Sequence, residues 1–76
     1  MGGLVAGGHF DGAAHPGGTT EFVTVLRGTL TVSCAAESVT VRAGATARFE
    51  ADAPHRYANL GKALCEFHMV VMEPVE

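Results

Sequence analysis

Glu21-Phe22-Val23-Thr24-Val25-Leu26-Arg27-Gly28-Thr29-Leu30-Thr31-Val32-Ser33-Cys34 is the stretch on which the fold turns. It holds two runs rich in β-branched residues, broken by Arg27-Gly28. Side chains alternate between the two faces of a strand, so Glu21, Val23 and Val25 share one side. The pattern predicts a hairpin with Gly28 supplying a positive φ at the turn. Downstream the reading repeats. Ala35-Ala36-Glu37 is a turn signal, and residues 38–42 alternate clearly. Ala43-Gly44 turns the chain again. Further strands are expected over Thr46–Glu50, 55–60 and 63–72, with Pro74 ending the last. No run places apolar residues at helical spacing behind a capping residue. Turn signals recur about every eight to ten residues, which points to an all-β sandwich or barrel. Residues 1–8 are glycine-rich and predict no strand.

The 76 residues are enough for one small domain. At that size folding buries only about 60–65% of the chain's surface, so a lone core is marginal. Hydrophobic residues make up 47% of the chain, but twelve are alanine and none is Trp or Ile. No apolar run of ~20 residues exists to cross a membrane, and no signal-peptide pattern opens the chain. A cytoplasmic location is the expectation. The net charge of −3 makes these residues a poor partner for DNA phosphates on their own. Cys34 and Cys65 stand far apart with no metal-binding spacing; free thiols fit best, with a strand-to-strand disulfide left open. The last strand is apolar on both faces at its end, so a partner sheet or second subunit is expected to cover it.

The chemistry-bearing residues cluster in two segments. One is His15-Pro16-Gly17-Gly18-Thr19-Thr20-Glu21; the other is Pro54-His55-Arg56-Tyr57-Ala58-Asn59. His9, Asp11, Ala13 and His15 share a parity, so an inward His15 predicts inward His9 and Asp11. His55, Tyr57 and Asn59 share another. A barrel would gather these rows around one cavity. The plainer readings are that His9 and His68 lie at the surface, that Glu21 pairs with Arg48 or Arg56, and that Asn59 stabilises the turn before Gly61. No nucleophile elbow, phosphate-cradling loop or dinucleotide fingerprint is present.

These segments resemble the two motifs of the cupins. The first cupin motif runs H-x-H, a short spacer, Glu, six residues, Gly; here Glu21 and Gly28 keep the six-residue gap. The second ends in His, three residues, Asn, matched by His55 and Asn59. The phrases HPGGTTEFVTVLRGTLTV and AGATARFEADAPHRYANLG are similar to the C-terminal cupin domain of helix-turn-helix regulators of the XRE type. The resemblance implies a single cupin domain over 1–76, with motif one around 15–28 and motif two around 44–59. It implies a small jelly-roll β-barrel, here lacking the strand that usually precedes Gly7-Gly8. It also implies an effector-sensing role. A small molecule would bind among His15, Glu21, His55, Tyr57 and Asn59, in a homodimer whose DNA contact belongs to a separate helix-turn-helix domain. In metal-binding cupins the matching positions hold a divalent ion, which assigns His15, Glu21 and His55 as ligands for zinc, iron, manganese or nickel. The family's second histidine falls at Gly17, so three of four ligands remain, enough for a site with open positions. The alternatives are a stand-alone metal-dependent cupin enzyme (isomerase, dioxygenase or lyase) and a barrel that only dimerises.

Overall fold

Strict alternation of burial in the strand Thr20–Arg27 sets the architecture: Glu21, Val23 and Val25 are buried, while Thr20, Phe22 and Thr24 are half-exposed. The computed structural model describes residues 2–34 and 37–74; the expected turn at Ala35-Ala36 lies outside them. Eight strands form: β1 (Gly2–Leu4), β2 (His9–Gly12), β3 (Thr20–Arg27), β4 (Thr29–Cys34), β5 (Glu37–Arg42), β6 (Thr46–Glu50), β7 (His55–Ala58) and β8 (Cys65–Met72). No helix occurs among the described residues. The strands build two antiparallel four-stranded sheets, in the orders β1-β8-β3-β6 and β2-β7-β4-β5. The all-β jelly roll expected from the sequence is what forms. The two sheets face each other as a sandwich, with no ladder closing them into a continuous barrel among the described residues.

Two local expectations are corrected. First, β3 and β4 are not a hairpin. They lie in different sheets, and the Arg27-Gly28 link carries the chain across the sandwich. Val23 and Val25 then face Leu30 and Val32 from opposite sides of one core. Alternation looks the same whether two strands pair side by side or face each other, so the pattern alone does not separate the cases. The true hairpin is β4–β5, in register from Thr29↔Arg42 to Cys34↔Glu37. Second, a strand does precede Gly7-Gly8. β1 pairs with β8 through Gly2↔Phe67, Gly3↔Glu66 and Leu4↔Cys65. A Cβ on Gly2 would stand 2.8 Å from the Phe67 ring, so the bare backbone is what lets this edge strand dock. Glycine's poor strand propensity hid it.

The core is thin. Val23, Val25, Leu30, Val32, Val41, Tyr57, Cys65 and Phe67 form one cluster, with Leu4, Ala47, Phe49 and Met69 packed at its margin. Both cysteines are free; Cys65 is in the core and Cys34 half-buried. The outward residues of β8 include Val70 and Met72, 55% and 58% exposed. Val70 is the register partner of Phe22, and together they leave an apolar stripe on the outer face of the first sheet.

Gly28 and Gly44 both adopt positive φ, 74° and 88°, yet they carry different loads. A Cβ at Gly28 would meet the Leu64 carbonyl oxygen at 2.6 Å, whereas one at Gly44 meets nothing within 4 Å. Gly28→Ala is therefore expected to cost about 3 kcal/mol or more, left-handed strain plus a clash with backbone. Gly44→Ala should cost about 1 kcal/mol, the strain alone. Equal shifts in denaturant midpoint for the two variants would contradict this packing of the crossover.

Candidate functional site

The inner row of β3 begins with a carboxylate. Glu21 is only 3% exposed, and its Oε1 accepts a hydrogen bond from the hydroxyl of Tyr57 on β7. This bond joins the two sheets across their interior. Burial first, then the hydrogen bond to Glu21 and its negative charge, holds the Tyr57 phenol well above its ordinary range. Phe10 of β2 stacks on the Tyr57 ring with centroids 4.6 Å apart, and lies 6.2 Å from Phe67. Gly12 sits where a Cβ would be 3.2 Å from Tyr57, so its missing side chain keeps the ring's place clear.

His55 opens β7 and is 9% exposed. Its Nδ1 lies 2.8 Å from the carbonyl oxygen of Ala53, just before Pro54. A carbonyl only accepts, so Nδ1 carries a hydrogen, and in the neutral tautomer Nε2 is then the nitrogen with the lone pair. His15 lies outside any strand. Its backbone N–H donates to Ala51 O at 2.8 Å, which pins the 12–19 loop against the end of β6. His15, Glu21, His55 and Tyr57 all line one cavity of about 200 Å³, together with Phe10, Gly12, Ala13, Ala51, Met69 and Val71. A wider cleft of about 290 Å³ also borders His55, but its other walls are Cys34, Glu37, Val39, Phe49, Glu50 and Asp52 near the β4–β5 end.

The structure thus gathers four of the five expected pocket residues. Asn59 is not among them. It is fully buried, and its Nδ2 donates to Leu4 O and Ala63 O at 2.9 and 2.7 Å, while its Oδ1 accepts from Gly61 N at 3.0 Å. Asn59 ties β1 to the β7–β8 turn, which is the turn-stabilising reading. His9 lies at the surface, as its plainer reading has it, and Asp11 does not turn inward. Both are exposed, and Asp11 pairs with Arg56 at 2.8 Å on the outer face. The strand ends at Gly12, so strand parity does not extend to His15. Phe10 is the inward residue that sequence reasoning missed; its parity with Gly12 was the available signal. Glu21 pairs with neither Arg48 nor Arg56: Arg56 is taken by Asp11, and Arg48, the register partner of outward-facing Phe22, is exposed on the outer face.

The expected metal triad does not assemble. Among the described residues no three His, Cys, Asp or Glu side chains stand close enough to share one ion. The Glu21 carboxylate is turned to Tyr57, His55 Nδ1 is spent on Ala53, and Gly17 offers no side chain. The side chains as placed do not fit a resident metal, and no reaction step follows through one.

The family model described as "Cupin domain" matches residues 3–71. The chain belongs to the cupin-domain family. Among solved structures, the Cupin_2 domain of an XRE family transcriptional regulator from Enterobacter cloacae is 29% identical with a TM-score of 0.89, the match covering 96% of this chain and 77% of that one. An HTH_3 family transcriptional regulator from Vibrio cholerae is 26% identical with a TM-score of 0.85 over 96% of this chain and 40% of that one. A de novo designed double-stranded β-helix, 19% identical with a TM-score of 0.74, covers 92% of each chain and supports the fold alone. No curated protein matches significantly. This cupin domain therefore spans less than half of the Vibrio regulator it is similar to.

Tyr57→Phe keeps the stacked ring but strips Glu21 of its donor. The expected cost is about 1–3 kcal/mol, the range for a buried acceptor left unpaired. The sign of the pH effect also follows. A raised phenol pKa stabilises the fold fully below the ordinary value near 10, and the contribution is lost as pH rises above it. The buried Cys65 thiol is also raised and acts in the same direction, but it is present in both proteins. Melting curves between neutral pH and pH ~11 should thus fall less steeply for Tyr57→Phe than for the wild type. Parallel curves would show that this hydroxyl is not held by burial and Glu21.

Proposed function

We propose that this cupin domain is the ligand-sensing part of a bacterial transcriptional regulator, acting in the cytoplasm. The observation that carries the reading is the cavity itself. A buried carboxylate, a tyrosine hydroxyl and two imidazoles converge on a small, mostly apolar space. The same fold serves in the two regulator structures to which the chain is most usefully compared. A few placed polar groups in an apolar hollow are what a small-molecule site needs. The negative charge leaves DNA contact to another segment. Ligand binding acts on DNA affinity only through a difference between two states of the whole protein.

A second copy of the chain covers the Phe22–Val70–Met72 stripe in this account. Arg48 pairs in register with Phe22, and Glu50 pairs with Thr20 beside Met72, so both charge signs flank the stripe and suit a self-complementary contact. Sedimentation should show a dimer for the wild type and a monomer for Val70→Asp, with the fold intact because Val70 is an exposed side chain. A wild type that sediments as a monomer would remove this interface.

The sensor reading is tested on the full-length regulator. An effector should change operator affinity by about 5–150-fold, the usual span of allosteric coupling. Ala13→Phe, at an exposed position lining the cavity, should abolish that response while leaving effector-free DNA binding within about twofold. A gene encoding no DNA-binding segment, or an effector response untouched by Ala13→Phe, would contradict it.

A further inference from the structure

We propose that the cavity ligand is a small organic cation, an amine or guanidine, held by the Glu21 carboxylate. The proposal rests on the sensor reading above and names the chemical class that the site takes.

Apart from the ring N–H of His15, which makes no hydrogen bond to Glu21 among the described residues, the side-chain polar atoms facing the cavity are acceptors. The Glu21 carboxylate only accepts. Tyr57 spends its single hydrogen on Glu21, leaving an oxygen lone pair. His55 spends its Nδ1 hydrogen on Ala53 O, leaving Nε2 as an acceptor in the neutral ring. No Lys or Arg lines the space. Arg56 pairs with Asp11 and Arg27 with Glu66, and Arg48, the register partner of outward-facing Phe22, lies exposed on the outer face of its sheet. A carboxylate 3% exposed, with one neutral hydrogen-bond donor and no lysine or arginine beside it, is an under-compensated group. A ligand rich in N–H donors and carrying positive charge supplies what is missing. Phe10 and Tyr57, which both line the cavity, add aromatic surface that attracts a cation. Met69 and Val71 offer apolar wall for an alkyl portion.

The competing classes fit less well. An anion would be repelled by Glu21 in a low-dielectric space. A neutral hydrocarbon would leave the carboxylate unpaired. A divalent metal also takes acceptors, but it needs several ligands at one point, and the described residues do not bring three together. An ammonium group needs only one carboxylate. The cavity of about 200 Å³ bounds the size, since at about 30 Å³ per water-sized group it holds roughly six or seven of them.

The test compares n-butylammonium, butyrate, n-butanol and zinc ion on the wild-type domain at matched concentrations. The readouts are the NMR signals of Tyr57 and Met69 and the thermal midpoint. Butylammonium is expected to shift the cavity signals and raise the midpoint, with the other three having no comparable effect. Glu21→Gln, which keeps the shape and still accepts from Tyr57, should weaken butylammonium binding by at least about tenfold. Butyrate, butanol or zinc binding in the cavity as tightly as butylammonium overturns the cation assignment and leaves the sensor reading standing, because the cavity still takes a ligand. Unchanged butylammonium affinity in Glu21→Gln overturns it in the same way. Silence from all four probes also overturns it, and the sensor reading is then decided by operator release in the full-length protein.

Discussion

The hydrogen bond from Tyr57 to Glu21 is the constraint around which the interior is arranged. It spans the sandwich, from β3 in one sheet to β7 in the other. A jelly roll with so few large core side chains has little apolar area to hold its sheets together at that end. The polar bond fixes their separation there without filling the space between them. The result is a packed core under β3, β4, β5 and β8, and a hollow beside it. Stability and the proposed ligand binding thus compete for the same position. A leucine at Glu21 together with a phenylalanine at Tyr57 would replace the polar pair by apolar packing; the carboxylate keeps the gap open and charged.

Two other devices position the hollow. Asn59, buried with all its polar groups satisfied, locks the β7–β8 turn to β1 and so fixes the exit of the strand that bears His55 and Tyr57. Gly28 makes the crossover from β3 to β4 close enough to touch Leu64 and Cys65. Both act by close backbone approach rather than by hydrophobic burial. That is how a chain diluted with alanine still holds a defined shape.

Much of this was legible in the sequence where periodicity and side-chain chemistry agree. The strands Thr29–Cys34 and Thr46–Glu50 follow from alternation between turn residues, and the inward row Glu21, Val23, Val25 follows from its parity. His15, Glu21, His55 and Tyr57 were expected in one pocket and share one cavity. What stayed hidden depends on pairing partners. Alternation in β3 and β4 cannot say whether the strands are neighbours or face each other. Gly2-Gly3-Leu4 forms a strand only because Phe67 accepts a bare backbone. The inward role of Phe10 depends on where β2 stops. Asn59 was poised between two roles until its three hydrogen bonds placed it in the turn.

On the proposed reading, the space beside Glu21 and Tyr57 holds a small molecule. The most direct measurement is a crystal structure of the protein purified from its native host without ligand exchange. The expected result is discrete density in the cavity for a small organic molecule, in hydrogen-bond contact with the Glu21 carboxylate. A cavity collapsed onto its own side chains, or filled only by ordered water in saturating native extract, would contradict it.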